Sequence, residues 1–215
     1  MIKRAFDVLA AVVGLAVLAP LFVAVAAIIR LTSSGPIFFR QERMGRNFRP
    51  FFILKFRTMV PNAPQLGGPL TAGNDPRVTS IGRILRKTKL DELPQLINVL
   101  RGDMSFVGPR PEVRRFVELY RRDYEELLTI RPGITDLASL KYRHESELLG
   151  QYPDPDAAYI NVLLPDKIAL GREYIRRSSL WFDLSLIFRT VFRMAESASP
   201  QDASSTMVNS PMREA

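Results

Sequence analysis

A run of 22 residues without a charged or strongly polar side chain, Val8 to Ile29, opens the chain and limits what it can fold into more than any later feature. It is long enough to cross a hydrocarbon core of about 30 Å as one straight helix. A secretory signal would carry a shorter apolar stretch and a small-residue cleavage site, so the segment is read as retained. Two features argue against a plain crossing. Pro20 falls just past the middle, where it removes a backbone hydrogen bond and pushes a helix to kink, and the half before it, Val8 to Ala19, rises only about 18 Å. Both flanks are basic: Lys3 and Arg4 before, Arg30, Arg40, Arg43, Arg46 and Arg49 after. Positive charge stays on the cytoplasmic side of a membrane, so a segment that enters, breaks at Pro20 and returns satisfies both flanks at once. The expectation is a re-entrant helix over residues 1–31 broken at the proline, with a single-pass anchor as the plain alternative.

Composition narrows the chemistry. The 215 residues carry 30 Lys and Arg against 22 Asp and Glu, a formal net charge of +8. That balance favours an anionic partner, whether nucleic acid, lipid headgroup or phosphorylated substrate. There is no cysteine, which excludes a disulfide framework, a thiolate metal site and a thiol nucleophile. His144 is the only histidine, so a multi-histidine metal site is excluded as well. Catalysis, if any, rests on carboxylates and basic side chains, with or without a bound metal.

The rest of the chain reads as an α+β unit, mostly helical, over residues 32–195, followed by a Ser- and Ala-rich tail, 196–215, expected to be disordered. Aromatic and basic residues interleave from Pro36 to Met59, and Phe51 to Arg57 suggests a short strand. Val60 to Asn74, rich in Pro and Gly, reads as a loop. Ile81, Ile84, Leu85 and Thr88 fall at helical spacing, and a second helix is expected to start around Asp91 to Pro94 and to stop at Gly102. Glu112 to Leu128 reads as one charged amphipathic helix, and Pro165 to Arg177 as another. Leu180 to Met194, dense in Leu, Ile and Phe with Trp181, Arg189 and Arg193, suits a helix lying in the headgroup region or, equally, a core helix.

Lys89-Leu90-Asp91-Glu92-Leu93-Pro94 is the centre of interest. Two adjacent carboxylates at a helix start, among Arg83, Arg86, Lys87, Lys89 and Arg101, are favoured in their ionised form. An ionised Asp91 could attack phosphorus and form an acyl phosphate. Its neighbour Glu92 could hold Mg²⁺, which prefers hard oxygen ligands. The plain alternative is helix capping by two acids. The stretch that begins twelve residues after Asp91, at Asp103, ends in Gly108-Pro109-Arg110-Pro111, a rigid turn suited to clamping a phosphate with one arginine. Arg131-Pro132-Gly133-Ile134-Thr135 repeats that logic.

These motifs together resemble the bacterial sugar transferase family of monotopic phosphoglycosyl transferases. The resemblance is carried by Leu90–Leu96 and Asn98–Pro111, by Arg40–Gly45, Lys55–Met59 and Asp75–Arg77, and by Arg131–Thr135, in that family's order from about Lys3 to Met194. It implies that Asp91 is a nucleophile toward the β-phosphate of a UDP-sugar, releasing UMP, and that a polyprenyl phosphate such as undecaprenyl phosphate then takes the sugar phosphate in a ping-pong sequence. It implies Mg²⁺ held at Asp91 and Glu92, basic residues Lys55, Arg57, Arg86, Arg110 and Arg143 near the phosphates or nucleotide with Pro109 and Pro111 also at the substrate, and a helix that enters the cytoplasmic leaflet of the bacterial inner membrane, breaks at proline and returns. The multi-span region and nucleotide-binding-like domain of larger members have no counterpart in this sequence, so the minimal catalytic form is expected. Two departures stand out. Asp136, Leu137, Ala138 and Ser139 follow the Pro-Gly-Ile-Thr motif where a Gly-Trp pair is frequent, and Ala19 precedes Pro20 where serine is frequent. The competing readings are a membrane-tethered basic protein binding nucleic acid or anionic lipid without catalysis, and a phosphatase using the same aspartyl chemistry. The preferred reading has no nucleic-acid partner, permits a homodimer without requiring one, and leaves the sugar and the pathway open.

Overall fold

The computed structural model describes residues 2–198. Helix α1, Ile2–Thr32, is followed by a hairpin of β1, Phe38–Met44, and β2, Pro50–Phe56. Then come α2, Ala63–Leu66; α3, Ser80–Lys87; α4, Gln95–Arg101; β3, Ser105–Val107; α5, Arg114–Leu119; and α6, Arg121–Leu127. β4, Gly133–Thr135, precedes α7, Leu137–Lys141; α8, Glu145–Leu149; α9, Pro155–Ala158; α10, Leu164–Arg177; and α11, Leu180–Ala198. Helices dominate and the sheets are small, as expected. The final helix runs through Ala198, past the boundary set for the tail at residue 196, and the remainder of that expected tail lies outside the described residues.

α1 is the one helix among the described residues long and apolar enough to cross a membrane. Its backbone stays helical through Pro20, so the expected break is not an interruption of the helix; the proline removes one hydrogen bond inside a continuous run. One face packs along the domain for most of its length. Ala11 joins a cluster with Phe51, Ile53, Val99 and Met104, while Val25 and Ile29 join Phe56 and Leu85. The opposite face leaves Leu9, Val12, Val13, Val17 and Val23 exposed.

Polar contacts fasten both ends of α1 to the domain. Lys3 pairs with the buried Asp183 and donates to Val107 O at 3.1 Å. Arg4 donates to Val99 O and Leu100 O at 2.6 and 3.1 Å, neutralising carbonyls at the end of α4. Asp7 is buried and accepts from Ser105 Oγ at 2.9 Å and Phe106 N at 3.2 Å. At the far end Arg57 donates to Ser33 O and Ser34 O at 3.0 and 2.6 Å.

β1 and β2 pair antiparallel, with Phe38 opposite Phe56 and Met44 opposite Pro50; Asn47 and Phe48 turn between them with positive φ. The outer edge of β2 is covered by a side chain rather than a strand. Asn98 of α4, fully buried, accepts from Leu54 N at 2.9 Å and donates to Phe52 O at 2.8 Å, which satisfies an edge that would otherwise be unpaired. β3 and β4 pair parallel, Ser105 with Gly133 and Val107 with Thr135. The chains approach so closely that a Cβ on Gly133 would stand 2.1 Å from Gly108 N, which is backbone and cannot yield. Glycine at 133 is therefore what lets the turn carrying Arg110 sit against β4.

The helix expected over Glu112 to Leu128 is two helices. Tyr120, at φ −118° and ψ 36°, leaves the helical region, and its hydroxyl donates to Ile160 O at 3.0 Å. Glu112 stays outside both helices and turns inward. It is buried, accepts from Tyr159 Oη at 2.5 Å and pairs with Arg43 at 3.4 Å. Around it lies the main core of Phe116, Val117, Tyr124, Leu127, Leu163 and Ile168. A tertiary partner for one carboxylate and a stop at one tyrosine override the amphipathic periodicity. The helix expected from Pro165 begins one residue earlier, and α11 is one-sided, burying Asp183 and Leu186 while leaving Trp181, Phe188, Val191 and Phe192 exposed.

Candidate active site

Asp91 and Glu92 sit in a single 3₁₀ turn, Leu90–Glu92, between α3 and α4. The helix expected from Asp91 thus starts at Gln95, and Gly102 closes it in the left-handed region as expected. Lys89 enters the turn at φ 59°, a conformation that costs a non-glycine residue free energy and marks a place where the surroundings impose the backbone. α3 is fixed from behind: Thr79 caps Gly82 N at 3.0 Å, and the absence of a side chain at Gly82 admits Thr58 O, which would stand 2.0 Å from a Cβ there. That packing brings Arg86 Nε to Thr58 Oγ1 at 2.8 Å.

The two carboxylates have different surroundings. Glu92 is fully engaged: Lys55 Nζ donates to Oε1 at 2.8 Å, Arg110 Nη2 makes a short bond to the same oxygen, and Arg110 Nη1 faces Oε2 at 3.4 Å. Burial alone would raise its pKa, but Arg110 and Lys55 reverse the sign and hold it well below its ordinary 4.5. Glu92 in turn raises the pKa of Arg110. Asp91, 6% exposed, has Lys55 Nζ at 4.0 Å from Oδ2, and its Oδ1 has no hydrogen-bond partner among the described residues. Burial pushes the Asp91 carboxyl up, against the pull of Lys55. One acid of the pair is thus a fixed counter-charge and the other is uncommitted.

A cleft of about 2150 Å³ opens over the pair and is lined by Lys55, Arg86, Asp91, Glu92, Arg110 and Arg143. Of the residues expected to contact substrate, Lys55, Arg86 and Arg110 face the acidic pair, and Arg143 lines the same cleft. Arg57 lines the same cleft, with its Nη atoms holding the end of α1. Pro109 and Pro111 do not line it; they are buried, and their carbonyls accept from Gly133 N and Arg43 Nη1, each at 3.1 Å. Buried on either side of Arg110, they hold its turn rigid. Arg143 reaches the cleft with Nη2 buried and unpartnered.

Two buried acids escaped the sequence reading, one beside the site and one at the base of α1. Asp136 accepts from Arg110 N at 3.1 Å through Oδ2 and from Ser139 N at 2.6 Å through Oδ1, tying α7 to the Arg110 turn. Its position after the Pro-Gly-Ile-Thr motif was a visible departure, but no local pattern assigns its partners. Asp7 also went unnoticed, although an acid at the edge of a membrane-length apolar run is itself a signal.

For a divalent cation, Asp91 Oδ1 is a fitting donor: a hard, buried oxygen with no other partner. Glu92 fits less well, because both its oxygens already face cations. Among the described residues no group of three His, Cys, Asp or Glu side chains could hold a metal by itself.

A family model described as bacterial sugar transferase matches residues 1–197. The chain is 41% identical over 193 residues to a UDP-N-acetylgalactosamine-undecaprenyl-phosphate N-acetylgalactosaminephosphotransferase of Aeromonas hydrophila, covering 88% of this chain and 43% of the relative. It is 38% identical over 197 residues to a UDP-glucose:undecaprenyl-phosphate glucose-1-phosphate transferase of Escherichia coli, covering 90% and 40%. It is 37% identical over 204 residues to exopolysaccharide production protein ExoY of Sinorhizobium fredii, covering 88% and 83%. The chain therefore spans about two fifths of the first two relatives and most of the third.

Proposed function

Because this chain belongs to the bacterial sugar transferase family, we propose that it moves a sugar phosphate from a UDP-sugar to a polyprenyl phosphate and releases UMP. The observation that carries this reading is the asymmetry of the acidic pair: a buried Asp91 with a free oxygen beside a Glu92 already neutralised by Lys55 and Arg110. An acid serving only as a cap would be bonded to backbone nitrogens, and neither carboxylate is.

In the first step an Asp91 oxygen attacks the β-phosphorus. The bond from that phosphorus to the bridging oxygen breaks, UMP leaves with the electron pair, and a sugar phosphate remains on Asp91 as an acyl phosphate. In the second, a phosphate oxygen of the polyprenyl carrier attacks the same phosphorus, and Asp91 departs as carboxylate. Glu92 holds Lys55 and Arg110 at the cleft so that their charge faces the phosphates instead of each other. Mg²⁺ carried on Asp91 would neutralise diphosphate charge and keep the buried carboxylate ionised.

The membrane reading follows from α1. Both ends are bonded to one domain, at Asp183, Val107 and Ser105 and at Arg57, so both belong on one side, with the exposed apolar face in lipid. That favours a helix that enters and returns on the cytoplasmic face of the inner membrane over one that crosses. α11, with Trp181, Phe188 and Phe192 outward, suits the interface beside it. The chain has no cysteine, so single cysteines at Ile2 and Thr32 report cleanly. Both are expected to react with an impermeant thiol reagent in inverted membrane vesicles and neither in intact cells; one reacting on each side would mean a crossing.

The test of the reaction is turnover in detergent with Mg²⁺, undecaprenyl phosphate and a panel of UDP-sugars. UMP is expected from a preferred donor, and lipid-linked sugar only when the polyprenyl phosphate is present. Release of UDP would mean transfer of the sugar alone and would remove Asp91 from the reaction.

A further inference from the structure

α7 and the turn after it hold two buried hydrogen-bond donors, on Ser139 and Arg143, that nothing among the described residues receives. Asp136 caps the helix through Ser139 N and, with its other oxygen, accepts from Arg110 N. One carboxylate therefore bridges the backbones of Ser139 and Arg110, which places the Ser139 hydroxyl on the first turn beside the phosphate-clamping turn. Arg143 follows four residues later, and both residues line the same cleft. Ser139 Oγ and Arg143 Nη2 are buried without a partner among the described residues. A serine inside a helix ordinarily bonds back to the carbonyl four residues earlier, which here would be Thr135 O; that oxygen instead accepts from Gly108 N at 3.2 Å.

Three of the carboxylates that line the cleft with this pair already have partners of their own. Glu92 is held by Lys55 and Arg110, Glu112 by Tyr159 and Arg43, and Glu145 by Lys167 at 2.5 Å. Asp136 has used both oxygens. Buried donors left unpaired are costly, and two in one cleft with no acceptor among the described residues describe a receptor for an acceptor-rich ligand. A phosphate oxygen carries the lone pairs and the charge that match a hydroxyl and a guanidinium.

We propose that Ser139 is a direct ligand of the donor's diphosphate, acting beside Arg143. This rests on the nucleotide-sugar reading above. The experiment is calorimetric binding of UDP and of uridine, with Mg²⁺, to the full chain in detergent, for the wild type, Ser139→Ala and Ser139→Thr. Loss of one hydrogen bond to a charged group is expected to weaken UDP about 10-fold in Ser139→Ala. Uridine, which has no phosphate, is expected to bind both equally, and Ser139→Thr, which keeps the hydroxyl, to stay within about 2-fold of wild type for UDP. UDP bound equally tightly by Ser139→Ala, or uridine weakened as much as UDP, would overturn the inference while leaving the reaction intact. A wild-type chain that binds no UDP would remove both together.

Discussion

Asp91→Asn is expected to reduce turnover by on the order of 10⁴-fold while leaving the fold in place. The amide has the carboxylate's shape, so the turn Leu90–Glu92 and its contacts with α3 and β2 remain. What it lacks is a nucleophilic oxygen. Stability should move little or improve slightly, because burial already raises the pKa of Asp91 and a neutral side chain there escapes that penalty. The pairing of lost activity with retained melting temperature distinguishes a nucleophile from a structural acid. A general-base role would predict a smaller loss and no dependence on which oxygen is free.

Arg110→Met is expected to have the second-largest effect, and on stability as well as rate. Glu92 is 12% exposed and Arg110 27%, so the pair is largely withdrawn from water. Removing one partner of such a pair costs about 3 kcal/mol, the lower end of the usual range because Lys55 still faces the remaining carboxylate. The pH dependence has a definite sign. The folded-state pKa of Glu92 lies below its ordinary 4.5, so the folded chain binds fewer protons than the unfolded chain across that window. The stabilisation is full above about pH 4.5 and is lost as pH falls through the folded value. The variant should melt lower than wild type at neutral pH, and the difference should narrow as the solution is acidified below pH 4.5. A constant difference across that range would mean that the effect comes from lost packing around the guanidinium.

Much of the site was legible because its signals are local. The carboxylate pair, the Gly-Pro-Arg-Pro turn and the Gly102 cap are short-range patterns whose geometry follows from proline and glycine stereochemistry. The apolar run and its basic flanks announced a membrane segment, and Pro20 marked its special point, although the backbone remains helical there. Illegible features depended on partners far along the chain. Glu112 reads as a solvated helical acid until Tyr159 and Arg43 are placed beside it. The strands β3 and β4 have three residues each, too short for any alternation to show, and pair only because Gly108 and Gly133 allow their backbones to meet. Pro109 and Pro111 flank Arg110 and are themselves buried, and that burial is decided by β4 and Arg43, not by anything local to the motif. The division of labour between Asp91 and Glu92 could not be seen in their adjacency, since it is decided by the direction from which Lys55 and Arg110 arrive.

The central claim is that Asp91 carries the sugar phosphate between the two half-reactions. It is tested most directly by incubating the chain with its preferred UDP-sugar and Mg²⁺, without polyprenyl phosphate, then quenching and measuring intact mass and peptide masses. The account predicts one sugar phosphate bound per chain, located on the peptide containing Asp91, with an equal amount of UMP released and the adduct discharged on adding undecaprenyl phosphate. Unmodified protein in a preparation that makes lipid-linked sugar when both substrates are present would contradict it, and would point to direct transfer between the two substrates.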